Sequence, residues 1–236
     1  MPYLRSLLVA VAAGSVIVAA APAPAHAAAT IPAAIWEMNE AAGATVMVDS
    51  SGNGLNGRIG LEVTTGYTFS GSTGYDFQRL APNTPPAHPE HLVTVLDNAQ
   101  LDPGTRDYAI TVRFRTTHNF GNIIQKGQSG AVGGYFKWQA PRGFVQCMFR
   151  GSAGQKGVGS GRALNDGLWH VVRCERTATS VTMWVDGVRV ARNTGPTGTI
   201  SNTWPLSIGG KVNCDQIVVT CDYFPGEIDR VVIETS

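Results

Sequence analysis

Val181, Met183 and Val185 alternate with Thr182, Trp184 and Asp186, the two-residue period of a strand whose faces meet different surroundings. Asp186-Gly187 interrupts the alternation, and Val188-Arg189-Val190 resumes it. An Asp-Gly pair between alternating segments signals a tight hairpin, because glycine accepts the positive φ that such a turn requires. Residues 108–116 repeat the pattern: Tyr108, Ile110, Val112 and Phe114 share one face, and Thr111, Arg113 and Arg115 the other. A strand dry on one side and wet on the other belongs to an antiparallel sandwich. Further strands are predicted at 34–39, 91–96, 122–126, 134–139, 144–150, 156–160, 169–176, 181–185, 206–208 and 227–233. With 28 glycines and 13 prolines to make turns, the spacing predicts an all-β antiparallel jelly-roll β-sandwich.

The first 27 residues are predicted to be a signal peptide. Arg5 supplies a positive start, residues 7–21 an apolar run too short to span a membrane comfortably, and Ala25-His26-Ala27 a small-residue cleavage site. Residues 28–236 then form one domain, secreted into an extracellular setting. Its charges balance: 18 Lys and Arg stand against 17 Asp and Glu, and Arg5 lies in the leader. Without a basic run there is no electrostatic drive toward nucleic acid or an anionic membrane. Residues 80–90, rich in proline, are predicted to be a surface loop.

Cys147, Cys174, Cys214 and Cys221 make an even count, which in an exported chain favours disulfides over metal or redox use. Of the three possible pairings, Cys147–Cys174 with Cys214–Cys221 is preferred, since the first joins two predicted strands and the second closes one loop. The alternative is buried free thiols.

Several short motifs recur in a recognisable order: Asp166-Gly167-Leu168-Trp169-His170-Val171-Val172, then Trp184-Val185-Asp186-Gly187, then Phe224-Pro225-Gly226-Glu227-Ile228-Asp229. With Ile35-Trp36-Glu37-Met38-Asn39-Glu40 and the run from Asp49 to Gly57, they span nearly all of residues 34–233. In this order the chain resembles the laminin-G-like branch of the concanavalin A-like lectin/glucanase superfamily. The resemblance implies a jelly roll whose first and last strands pair, bringing Trp36 near Val231. It also implies a non-catalytic binding module for carbohydrate or an extracellular glycoconjugate. A protein-interaction or adhesion module, and a glycoside hydrolase or polysaccharide lyase with an unrecognised site, are the other readings.

By analogy with related sandwiches, one structural calcium ion is expected where the first turn meets the last strand. Asp229, Asp49, Asn39 and the Gly57 carbonyl would be its oxygen ligands, the donor type calcium prefers. The other role for Asp49 is to cap a turn. The run from Asp49 also fails as an EF-hand loop, because its twelfth position is Gly60. Trp138, Tyr135, Trp204 and Tyr223 are candidate ligand-binding aromatics, since aromatic faces stack on sugar rings. Trp169 and Trp184 read as core or sheet cover, His170 as structural, and His88 and His91 as solvated loop residues. Glu227 and Asp229, two apart on a predicted strand, have a spacing that suits glycoside chemistry. The third acid of the superfamily's hydrolytic motif is absent, as Val231 and Val232 follow. No residue is assigned a catalytic role.

Overall fold

The computed structural model describes residues 31–80, 89–212 and 222–236; the predicted leader and the pair Cys214 and Cys221 therefore lie outside the described residues. In chain order the strands are β1 (Ile31–Trp36), β2 (Val46–Met47), β3 (Gly57–Ile59), β4 (Val63–Phe69), β5 (Ser72–Phe77), β6 (Val93–Val95), β7 (Tyr108–Arg115) and β8 (Asn122–Lys126). They continue with β9 (Tyr135–Gln139), β10 (Phe144–Gly151), β11 (Gly154–Ala163), β12 (His170–Arg176), β13 (Ser180–Val185), β14 (Val188–Thr194), β15 (Leu206–Ile208) and β16 (Gly226–Thr235). One sheet runs β14-β13-β12-β7-β16-β5-β4, with β1 also on β16; the other runs β11-β10-β9-β8-β15-β6-β3-β2. The named pairings are antiparallel, and Trp36 stands opposite Val231, so the first and last strands do pair.

The alternation read in β7 and β13 decides which face is dry. Tyr108, Ile110, Val112 and Phe114 are buried, as are Val181, Met183 and Val185, whereas Thr111, Arg113 and Arg115 line the outer face. From the opposite sheet Phe136, Trp138, Val145, Cys147 and Phe149 fill the same interior. Tyr108 meets Phe136 and Phe149 at ring separations of 5.7 and 6.3 Å. Within this layer Cys147 of β10 is bonded to Cys174 of β12, a covalent link between the two sheets.

Three local departures from the alternation shape the molecule. Beyond Trp36 the predicted first strand stops, because Met38 takes a left-handed turn (φ 51°) that drives its side chain into the core. In β16 Ile228 opposes Phe114 and Arg230 opposes Arg113, leaving Asp229 as the extra residue of a β-bulge. The bulge lets Ile228, Val231 and Ile233 all face inward despite their uneven spacing. Finally, β4 and β5 form a hairpin built largely from Thr, Gly, Ser and Tyr, whose weak apolar period hides it from sequence patterning.

His91 corrects one expectation. It is buried at the end of a 3-10 turn, with its ring edge-on to Tyr223 at 5.1 Å and to Phe77 at 6.5 Å. His170 is structural as expected: its Nδ1 lies 2.8 Å from an Asp186 carboxylate oxygen and its Nε2 3.0 Å from Asp166. The Trp-His motif thus ties the start of β12 to the Asp-Gly hairpin turn.

Candidate functional site

One rim of the sandwich is made by three loops: 127–134 between β8 and β9, 151–154 between β10 and β11, and 195–205 before β15. The first is rich in glycine for a steric reason. Gly133 has φ 87°, and a Cβ there would lie 1.7 Å from the Ser201 carbonyl oxygen. The close approach is used, since the Ser201 N–H donates to Gly133 O at 2.9 Å. Asn202 fastens the same loop by donating its side-chain amide to Gly134 O at 3.0 Å. The second loop is tied to the third through Ser152 N–H to Thr199 O and Thr199 N–H to Ser152 Oγ, both 3.0 Å.

Two buried cations hold this rim from beneath. Lys126 is fully buried, and its ammonium donates to Asp102 at 2.7 Å, Asp97 at 2.8 Å and the Asn202 carbonyl at 2.7 Å. The Arg176 guanidinium, also buried, donates to Thr197 Oγ1 at 2.8 Å, to Arg106 O at 2.7 Å and to Gly198 O. Buried charges persist only when paired and hydrogen-bonded, so both residues specify the loop positions as much as they stabilise them. The rim is therefore preorganised.

Between the loops lies a cavity of about 450 Å³, within the size range of small-molecule sites. Arg150 is the charged side chain that lines it, accompanied by Ser152, Thr199, Ser201 and Tyr135, and no carboxylate does so among the described residues. Ser201 already donates to Asp102 at 2.9 Å, and the Tyr135 hydroxyl to Gln155 at 2.9 Å. Arg150 is exposed and has no ion-pair partner among the described residues, so its five N–H donors are available to a ligand. The chemistry offered is donor-rich and uncompensated in charge, suited to a ligand with many oxygen acceptors.

Of the aromatics singled out in the sequence, only Tyr135 lines this cavity, and it is 7 % exposed. Trp138 is fully buried among the core side chains, which removes it as a stacking surface. Its strand neighbour Tyr135 faces the other way, as alternation requires. Trp204 is half-buried beyond the cavity, its N–H donating to Asn202 at 3.0 Å. Tyr223 is buried against Leu92 and His91 at a different part of the molecule.

The four residues expected to hold calcium do not form one donor set. Asp49 accepts from the N–H groups of Ile35, Ser51 and Leu55 and from the Ser51 hydroxyl at 2.9–3.0 Å, which occupies both carboxylate oxygens. It is the turn cap. Asn39 and Asp229 do line a common hollow, but its other charged members include Arg113 and Arg230, and Asp229 is ion-paired with Arg113. Gly57 sits in β3, where a Cβ would meet Met47 at 2.7 Å. No group of three or more His, Cys, Asp or Glu among the described residues could hold a metal ion. These four residues therefore do not make a calcium site together. Glu227 and Asp229 fail as a hydrolytic pair for a related reason: Arg115 binds Glu227 at 2.6 Å, Arg113 binds Asp229, and the bulge separates their registers.

Arg150 and its neighbours Ser152, Thr199 and Ser201 were not singled out by sequence reading. A signal was present: no acidic residue occurs between Asp107 and Asp166, although eight basic residues do.

A two-layer antiparallel jelly roll with a cavity at its loop rim is the concanavalin A-like class of sandwich. Within that class the chain belongs to the laminin G domain family, which residues 114–236, just over half of it, match. It is 29 % identical over 136 residues to sex hormone-binding globulin of Phodopus sungorus, covering 56 % of this chain and 33 % of that protein. It is 28 % identical over 101 residues to neurexin-1a-beta of Danio rerio, covering 42 % of this chain and 22 % of that protein. The chain thus spans a third or less of the length of these relatives. In fold it is similar to domains LG4-5 of the mouse laminin alpha1 chain (TM-score 0.51, 23 % identity, 61 % of this chain and 40 % of that one). It is also similar to the binding domain of botulinum neurotoxin serotype D (TM-score 0.61, 12 % identity, 86 % of this chain and 47 % of that one).

Proposed function

We propose that this protein is an exported, non-catalytic binding module that takes a carbohydrate or glycoconjugate in the cavity at the 127–134, 151–154 and 195–205 rim. The observation that carries the reading is a rigid, glycine-walled cavity with a single unpaired guanidinium set among hydroxyls. Sugars present rings of oxygen acceptors and donors, and a preformed site loses little entropy in meeting them. A similar fold occurs in a type C botulinum neurotoxin structure whose description ties cell entry to interaction with two ganglioside molecules. That supports a glycan ligand without naming one. The export signal predicted over 1–27 fits an extracellular ligand, and no helix among the described residues is long and apolar enough to cross a membrane.

Display of acidic and neutral glycans on an array tests the proposal. Retention of a glycan, weakened about tenfold by Arg150→Gln in a protein with an unchanged melting temperature, is the expected result, since one charge-assisted contact amounts to about 1.5–3 kcal/mol. An array left blank, or binding indifferent to Arg150→Gln, overturns it. Val132 favours a second reading: it is 92 % exposed on the same loop and would suit a protein partner. In that case the array is blank and pull-down from extracellular medium succeeds, with loss on Val132→Asp.

A further inference from the structure

A second cleft, away from the glycine-walled rim, is bordered by the segment after β5, the 116–121 loop after β7, and the residues leading into β16. Its cavity measures about 340 Å³ and is lined by Arg79, Leu80, Thr117, His118, Asn119 and Phe120, against Tyr223 and Pro225. The loop carrying four of these residues is pinned on both sides. Thr116 donates its hydroxyl to Pro225 O at 2.5 Å, the Gly143 N–H donates to Asn119 O at 3.0 Å, and the Gly167 N–H donates to Thr116 O at 3.0 Å. On this fixed backbone Phe120 remains 42 % exposed, so a large apolar ring is held in contact with water.

The polar side is rich in donors. Arg79 is exposed and has no ion-pair partner among the described residues. Asn119 already accepts from Asn165 through its Oδ1 at 2.9 Å, which leaves its amide hydrogens to serve a ligand. No carboxylate lines this cavity among the described residues; Asp76 and Glu227 border the adjoining hollow that Arg79 and His118 also line, and Glu227 is engaged by Arg115 at 2.6 Å. An apolar shelf facing a guanidinium and an amide matches a ligand with a charged acceptor at one end and an apolar ring at the other.

We infer that this cleft is a second binding site, distinct from the Arg150 cavity, for a carboxylate carried on an apolar ring, with Arg79 and Asn119 on the carboxylate and Phe120 on the ring. The ring can be aromatic or the apolar face of an acidic sugar. His118 reports on occupancy. Burial lowers its pKa, the Arg79 charge lowers it further, and Glu227 acts in the opposite direction; Asp76 and Arg115 also border the hollow beside it. A carboxylate at Arg79 cancels part of the repulsion and favours the imidazolium.

The test follows the His118 imidazole resonances by NMR while benzoate, glucuronate and the neutral controls benzyl alcohol and methyl glucoside are added. Expected are a saturable shift with at least one acid and with neither control, an upward move in the His118 titration midpoint, and binding several-fold tighter near about pH 5 than at neutrality. Benzoate and glucuronate separate the aromatic from the sugar source. Arg79→Gln and Phe120→Ala, both at exposed positions, should each weaken binding about tenfold, whereas Arg150→Gln leaves it unchanged. The inference is overturned if neither acid shifts His118, if the controls bind as well, or if Arg79→Gln has no effect.

Discussion

Trp138 and Tyr135, three residues apart on β9, show how a residue's role turns on which side of a pleat it occupies. Both were candidate sugar platforms; the structure buries Trp138 and leaves only Tyr135 beside a cavity. Trp138→Ala should therefore cost about 3–5 kcal/mol in urea unfolding through the void it leaves, with ligand affinity of the folded protein unchanged. Lys126 was not read from sequence because nothing local marks a lysine that will be fully buried. Lys126→Ala strands Asp102 without its partner and should cost about 3–5 kcal/mol, again measured by unfolding. Asp49 carries a pH prediction. Burial pushes its carboxyl up, but the hydrogen bonds from Ile35, Ser51 and Leu55 outweigh this, so its pKa lies below the usual range. The unfolded chain then takes up the proton at a higher pH than the folded one. The stabilisation is present above about pH 4, the ordinary carboxylate value, and is lost as pH falls through the folded value. Unfolding free energies measured across that range should fall less steeply for Asp49→Asn than for the parent; equal slopes would refute the assignment.

At the scale of elements, strands with a full apolar alternation were legible, and β8 and β15 match the predicted bounds. Those stabilised by neighbours were not. The β4–β5 hairpin owes its place to the pairing of β5 with β16, and the short β2 and β3 to pairing with each other and of β3 with β6, contacts that no local pattern announces. Glycines divide in the same way. Gly187 serves the Asp-Gly hairpin turn, with φ 80° and open space around its missing Cβ, so Gly187→Ala should cost only about 1 kcal/mol. Gly133→Ala meets the Ser201 carbonyl directly; it should cost more than Gly187→Ala and also weaken glycan retention, because the loop cannot stay seated. Thermal melting of the two variants side by side checks the order.

For the whole molecule the Cys147–Cys174 bond closes a loop of 27 residues between facing sheets. The chain-entropy relation gives about 3.5 kcal/mol for such a loop, and the double alanine variant should lose roughly that in denaturant unfolding. Charge is organised at this scale too. The overall balance is close to neutral, yet the acid-free stretch from residue 108 to residue 165 supplies Arg150, whose cavity no carboxylate lines among the described residues.

By itself the order of residues determined the all-β class and the dry and wet faces of its central strands, because a two-residue period reports directly on which side chains leave water; the Trp36–Val231 pairing was legible only through the resemblance carried by the motifs. Only the tertiary structure decided that Asp49 caps a turn, that Asp229 is spent on Arg113, and that Arg150 stands in a cavity without an ion-pair partner among the described residues. Those outcomes depend on which loops the folded sheets bring together, and separations of tens of residues along the chain carry no trace of that.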